Sequence, residues 1–259
     1  FYKSDINDLH IDDQHFDIAI NLAAQAGVRV PEEKEYLYEY SNVKGFESFC
    51  DFCIKKNINK IIYASSSSVY ADINDGKFCE TSTPLKPKSK YGKSKLANEI
   101  FASELTSKYD LFMIGLRFFS VYGPYGRPDM AYYAFTNSIK DDQTISLNNS
   151  GNMYRDMTFI EDIVQGINGA IEYICTSKQN KNEIFNLGND NPIKISDMLN
   201  KIQKILGKKA LIRPCKTQNE ALKTHADITK AKNLLGYDPK VTFDKGIRKF
   251  IEWHKNYEN

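Results

Sequence analysis

A chain of 259 residues with a formal net charge of +2 is long enough for one large α/β domain or one and a half, and its balanced charge points away from nucleic acid as a partner. It has no apolar run of about 18 residues that would cross a membrane, and Phe1-Tyr2-Lys3-Ser4-Asp5 lacks a signal-peptide pattern. Its five irregularly spaced cysteines suit reduced thiols in the cytoplasm.

The first glycine is Gly27. Nothing before it can form the Gly-rich turn that opens a dinucleotide fold, so the sequence is expected to begin part-way through one. Phe16 to Ala24 reads as a buried strand ending in small residues, which let a flat ligand approach the backbone. A long helix is expected from about Glu33 through Ile54, with Asn42 inside it. Cys50-x-x-Cys53 lies in that helix and has no second pair to complete a metal site, so both read as small apolar side chains and no metal is expected.

The apolar run Ile61-Ile62-Tyr63 stops abruptly in Ser65-Ser66-Ser67-Ser68, as a buried parallel strand ends at the mouth of a site. An irregular, Pro-containing loop from Ala71 to Ser89 leads to a helix running to about Tyr109. Tyr91 and Lys95 share a face of that helix. An ammonium beside a phenol favours the phenolate, a usable base near neutral pH. Leu111 to Phe119 is a second buried strand, and it empties into a shaped loop rich in Gly and Pro, Ser120 to Met130. Regular βα alternation then lapses. Strands are expected at Thr144 to Leu147, before Glu161, and at Asn182 to Gly188, the last returning to the sheet. Helices are expected from Glu161, over Ile195 to Leu206, and over Phe243 to Tyr257 with the single Trp253.

Ser66, Tyr91 and Lys95 resemble the Ser/Thr and Tyr-x-x-x-Lys set of the extended short-chain dehydrogenase/reductases. The run Asn21 to Arg29, with Gln-Ala-Gly-Val-Arg, and the loop Val121-Tyr122-Gly123-Pro124-Tyr125-Gly126-Arg127-Pro128-Asp129-Met130 resemble that family's NAD-dependent epimerase/dehydratase branch, most of all UDP-glucuronate 4-epimerases. The resemblance implies an α/β fold with a Rossmann-like, doubly wound parallel sheet. About 60 residues carrying the Gly-rich strand-helix unit would be missing ahead of Phe1. Residues 1–119 would form the partial NAD-binding domain and 120–259 mainly the nucleotide-sugar region, with about 154–190 partly returning to the first.

The resemblance also implies site roles. NAD would lie along Asp5, Ile6, Leu22, Ala23, Ala24, Asn42, Tyr91, Lys95 and Phe118. The UDP-sugar would meet Ser66, Arg29, Ser120, Arg127, Arg155 and Glu220. Arg29 is equally a solvated arginine, and a structural ion pair is the lesser alternative for Arg155-Asp156. Glu220 stands near the family's Gly-Asp pair, where Thr217 cannot supply an arginine's charge. Arg127 has the planar fork that matches a carboxylate.

The implied reaction is inversion at C4 through a 4-keto sugar, with Tyr91 as base, Ser66 as its hydrogen-bond partner and Lys95 lowering the Tyr91 pKa. Ser67 and Ser68 stand where family dehydratases carry Asp-Glu and decarboxylases keep a Glu at the second position, which argues against both. The alternatives are a UDP-glucose/UDP-galactose 4-epimerase and a non-catalytic nucleotide-sugar-binding member. A homodimer through a four-helix bundle and a role in polysaccharide biosynthesis are family-level expectations.

Overall fold

The computed structural model describes residues 1–11, 14–28, 30–70, 76–177, 181–215 and 221–257. Its centre is built from short apolar strands whose two faces are both covered. In chain order come β1 (Ala19–Asn21), α1 (Gly45–Lys55), β2 (Lys60–Ser66), α2 (Lys90–Lys108), β3 (Phe112–Phe118) and β4 (Ser120–Tyr122). They are followed by α3 (Ala131–Lys140), β5 (Thr144–Asn148), β6 (Tyr154–Arg155), β7 (Met157–Phe159) and α4 (Ile160–Thr176). The last are β8 (Asn182–Leu187), β9 (Ile193–Lys194), α5 (Ile195–Leu206), β10 (Leu211–Cys215), α6 (Thr229–Leu235) and α7 (Phe243–Tyr257).

Four strands form a parallel sheet in the order β1-β2-β3-β8. Alternate β2 residues explain its two cores. Ile61 and Tyr63 pack with Phe46, Cys50, Cys53, Ala102 and Met113 beneath α1 and α2. Ile62 turns to the other face, with Ile114, Leu116, Ile163, Phe185 and Leu187 beneath α4 and α6. A strand buried on both faces reads as a continuous apolar run, as Ile61-Ile62-Tyr63 does. Cys50 and Cys53 are fully buried, and burial pushes both thiols up, Cys53 to about 12. They are apolar filler, as the sequence suggests.

A third core lies beyond the sheet. There Tyr132, Phe159, Met198, Ile247 and Phe250 pack among α3, α5, α7 and the two-stranded pairs β4–β7, β5–β10 and β6–β9. β8 joins the sheet beside β3, the expected return of the chain.

Two expectations are corrected. The strand read over Phe16 to Ala24 shrinks to β1, because the Asn21 side chain accepts a hydrogen bond from Ala23 N at 2.9 Å and turns the chain off the ladder. The single helix read from Glu33 to Ile54 is a 3₁₀ turn (Glu32–Lys34), a π-helical stretch (Tyr38–Lys44) and α1. The wider π turn carries the buried Tyr38 and Asn42, both of which bond to the Gln25–Gly27 loop. A π stretch inside a helix commonly marks a functional site.

Tyr63 is 1 % exposed, and its hydroxyl has no hydrogen-bond partner among the described residues. Its ring has room because the cross-strand residue is Gly115; a Cβ there would fall 2.7 Å from the Tyr63 hydroxyl. An unpartnered buried hydroxyl costs about 1–3 kcal/mol. Tyr63→Phe is therefore expected to leave stability unchanged or raise it by about 1 kcal/mol in urea unfolding. A clear loss of stability would contradict the unpartnered hydroxyl.

Candidate active site

The site begins where β2 ends. The Ser66 hydroxyl accepts from Ser68 N at 3.1 Å and caps the 3₁₀ turn Ser67–Val69. A hydroxyl that accepts there keeps its proton for another partner, and Ser66 stands near enough to the phenol of Tyr91 to favour its phenolate. Tyr91 is in the first turn of α2, whose N-terminus is capped by Ser89 Oγ accepting from Gly92 N at 2.9 Å. Gly92 lets the helix lie against the turn, since a Cβ there would drive into the Ser68 carbonyl oxygen.

Burial raises the Tyr91 pKa above its ordinary value. The Ser66 hydrogen bond and the Arg127 charge work against that rise, and Tyr38 adds to it. Lys95 is 4 % exposed and donates to the Ala64 carbonyl at 2.9 Å, and burial pulls its pKa down to about 8. The Arg127 charge also favours the Tyr91 phenolate.

Behind this group lies a buried polar network that the sequence reading missed. Glu99 Oε1 accepts from Ser65 Oγ at 2.5 Å and from Arg117 Nε at 2.8 Å, and Oε2 accepts from Arg117 Nη2 at 2.7 Å. Arg117 also donates to the Tyr70 hydroxyl at 2.8 Å, which donates to Asn186 Oδ1 at 2.7 Å. The signal was available. An arginine within the apolar run Phe112 to Phe119 must find a partner, and Glu99 is four residues beyond Lys95 on the same helix face.

Asn42 was expected beside the cofactor. Its side chain is instead engaged by protein: Oδ1 accepts from Gln25 N at 2.7 Å, and Nδ2 donates to Gln25 O at 3.1 Å and to Ser94 Oγ at 2.9 Å. Asn42 therefore ties the loop after β1 to α2. Tyr38 braces the same loop by donating to Gly27 O at 2.6 Å. Gly27, at φ +99°, lies against Arg127; a Cβ there would fall 2.5 Å from Nη2. Arg127 forks onto Asp129, with Nε 3.0 Å from Oδ1 and Nη2 bonded to Oδ2.

The structure brings Ser66, Tyr91, Lys95, Phe118 and Arg127 together at the carboxyl ends of β2 and β3, with Ser66 and Phe118 in register. Ser120 follows on β4, held by its amide on Asp156 O at 3.1 Å. Arg155 stands on β6, half-buried, and donates to Tyr154 O at 2.9 Å. Asp156, weighed as its ion-pair partner, is a buried carboxylate that accepts from the amides of Asn189, Asp190 and Ala226. Arg29 and Glu220 lie outside the described residues.

The residues present fit a dinucleotide. At the end of β1, Leu22 is 51 % exposed beside the small Ala23 and Ala24, an open apolar ledge for a flat ring. Lys95 offers an ammonium with three donors, one of them used on Ala64 O among the described residues. Asp5 is pinned by Asn7 N at 2.9 Å and the Tyr40 hydroxyl at 3.0 Å, which hold its carboxyl below the usual range, and Ile6 packs against Gly45.

Residues 2–188 match the NAD dependent epimerase/dehydratase family. An uncharacterized protein of Methanocaldococcus jannaschii is 42% identical over 253 residues, covering 96% of this chain and 76% of its own length. UDP-glucuronate 4-epimerase 2 of Arabidopsis thaliana is 36% identical over 274 residues, covering 98% of this chain and 63% of its own. Among solved structures, the UDP-glucuronic acid 4-epimerase of Bacillus cereus in complex with UDP-glucuronic acid and NAD superposes with a TM-score of 0.85 at 31% identity, covering 93% of this chain and 76% of that one. With its site geometry and these matches together, the chain belongs to the NAD dependent epimerase/dehydratase family.

Proposed function

We propose that the protein inverts C4 of a UDP-linked sugar, converting UDP-glucuronate to UDP-galacturonate. The observation that carries this reading is the meeting of the β2 end with the first turn of α2, where Gly92 lies against the Ser68 carbonyl and sets Tyr91 beside Ser66. In this role Tyr91 removes and returns the proton of the sugar 4-hydroxyl, and Ser66 holds that oxygen in line. Lys95 and the Leu22–Ala24 ledge hold the nicotinamide end of NAD, Phe118 backs it, and Asp5 and Ile6 receive the adenine end. When bound, NAD supplies a reversible hydride acceptor.

Arg127 and Ser120 hold the sugar carboxylate, and Arg155 meets the diphosphate. Ser67 and Ser68 offer no carboxyl group, so neither elimination nor a Glu-assisted decarboxylation has its acid or base. On this reading residues 1–119 with β8 form the cofactor half, and most of 120–259 the sugar half. The protein acts in the cytoplasm in polysaccharide synthesis, as a homodimer packed through the helical segments 36–55 and 90–108, where Tyr36 and Ile100 remain exposed. A second reading, the UDP-glucose/UDP-galactose epimerase, draws on the closure of the Arg127 fork by Asp129, which leaves no charge open for a carboxylate.

Incubating the complete gene product with UDP-glucuronate and reading the C4 configuration by proton NMR tests the proposal. UDP-galacturonate is the expected product, and Tyr91→Phe should slow its formation at least about 100-fold. Turnover of UDP-glucose alone would favour the second reading, and turnover of neither sugar would remove the proposal.

Replacing Arg127 with Leu should raise KM for UDP-glucuronate about tenfold or release a decarboxylated sugar, with UDP-glucose little affected. Unchanged kinetics and product would remove the carboxylate role.

Lys95 gives a pH test. Its folded pKa of about 8 is below the ordinary 10.5, so burial penalises the charged form. That penalty is full below about pH 8 and fades as pH rises toward the unfolded value. Lys95→Met should therefore raise the Tm of cofactor-stripped protein near about pH 7, with the gain shrinking near about pH 10, while activity is lost. A Tm difference independent of pH would contradict the buried-charge assignment.

A further inference from the structure

Three side chains of one α2 face grip three consecutive residues at the end of β2. Tyr91 stands beside Ser66, Lys95 donates to Ala64 O, and Glu99 accepts from Ser65 Oγ. The 91, 95, 99 spacing repeats at about one helical turn, which stacks these side chains on one face of α2. The Tyr91 and Lys95 contacts also belong to the reaction, since both groups must be available to substrate and cofactor. The Glu99 contact is different. Glu99 is 6 % exposed, and its carboxylate is filled by Ser65 and the Arg117 fork. It touches only protein.

Arg117 is 3 % exposed and anchors Glu99 to the sheet. It stands on β3 in register with Ser65 on one side and with Asn186 of β8 on the other. Its third contact, the Tyr70 hydroxyl, continues to Asn186, whose amide reaches Phe78 O at 2.8 Å and Asp227 O at 3.0 Å. The Glu99 carboxylate is therefore fixed relative to three strands of the sheet. Ser65 is the neighbour of Ser66, so holding its side chain fixes the direction in which the Ser66 hydroxyl leaves the strand. Alternate strand residues face opposite ways. Ser65 is thus held from the α2 side, while Ser66, the last residue of β2, turns its hydroxyl onto Ser68 N at the strand end.

We propose that Glu99, clamped by Arg117, is a positioning residue that acts through Ser65 to set the alignment of Ser66 with Tyr91. The proposal rests on Ser66 and Tyr91 being the proton-transfer pair. Misplacing such a pair by about 1 Å costs about 100-fold in rate, and the chain's answer is a charged clamp with no mobile solvent-exposed member. Tyr91 is faced by Ser66 at the strand end, Tyr38 of the π-helical stretch and Arg127 of the loop after β4, with Lys95 on its own helix. If Ser66 drifts, the phenolate loses its hydrogen bond, while Arg127 and Tyr38 are unchanged.

The discriminating variant is Ser65→Ala, which removes the link but leaves the Glu99–Arg117 pair intact. Steady-state kinetics on UDP-glucuronate should show kcat lowered about tenfold, KM within about twofold, and the acid limb of the kcat profile moved to higher pH. Ser65→Thr keeps a hydroxyl and should restore most of the rate. Glu99→Gln should show the same pH shift with a lowered Tm, because the buried Arg117 loses its counter-charge.

If Ser65→Ala keeps wild-type kcat and pH profile, Glu99 is a structural ion pair only and the proposal is overturned. If its Tm falls while kcat per folded molecule and the pH profile hold, the proposal is overturned equally. Failure of the underlying reading has another signature: Tyr91→Phe would then retain activity.

Discussion

Everything at the site depends on how closely α2 lies against the end of β2. Gly92 permits it, since any side chain there would meet the Ser68 carbonyl. Ser89 fixes where the helix starts and Ser66 fixes where the strand stops, each by an oxygen that accepts a backbone amide. Two caps and one missing Cβ therefore decide the Ser66–Tyr91 geometry before any catalytic group is considered. Asn42 adds the third wall by joining the Gln25 backbone to Ser94 on the same helix. The loop after β1 is thereby carried to the same point as the loop after β2.

Parallel strands explain why those ends coincide. Register pairs Asn21 with Tyr63 and Ser66 with Phe118, so the chain leaves the sheet at adjacent points and on one edge. Ligands in open parallel sheets bind outside such carboxyl ends. The second half of the chain meets this edge through Asp156. Its buried carboxylate gathers the amides of Asn189, Asp190 and Ala226, and its own carbonyl accepts from Ser120 N. Desolvation raises the Asp156 pKa, and the three amide hydrogen bonds oppose it. A carboxylate held in this way joins the segments after β8 and before α6 to the strand that carries Ser120.

The parallel sheet, the return of β8 to it, and the Ser66, Tyr91 and Lys95 pattern were legible because each rests on local pattern: apolar runs, a serine-rich stop, a four-residue helical spacing. The site's electrostatics were not. The four-residue spacing puts Lys95 on the Tyr91 face, but it does not show that the long stem sets the buried ammonium on Ala64 O. Arg127 is 36 residues along the chain from Tyr91 and acts on it only because the loop after β4 folds back past Gly27. Such contacts have no sequence period. The bracing contacts of Asn42 were hidden for a similar reason. A helical Asn reads as exposed, and only the π-helical stretch turns it inward to a backbone 17 residues earlier. Glu99 and Arg117 show the opposite case, in which the charges were visible but their burial became meaningful only once strand and helix were paired.

Tyr91 shows how these terms combine. Burial alone would leave it a poor base, since desolvation disfavours the phenolate. Moving Tyr91 outward would relieve that penalty but expose the reacting oxygen to water. The fold keeps the tyrosine inside and offsets the penalty with one short-range donor, Ser66, and one charge, Arg127. Arg127 cannot serve this purpose at full strength while its fork is neutralised by Asp129. A ligand that draws the guanidinium away from Asp129 without carrying a compensating charge would sharpen its effect on Tyr91. A carboxylate ligand would exchange one counter-charge for another and leave that effect nearly constant. The position of one guanidinium therefore sets both its pairing with Asp129 and its effect on the basicity of the tyrosine.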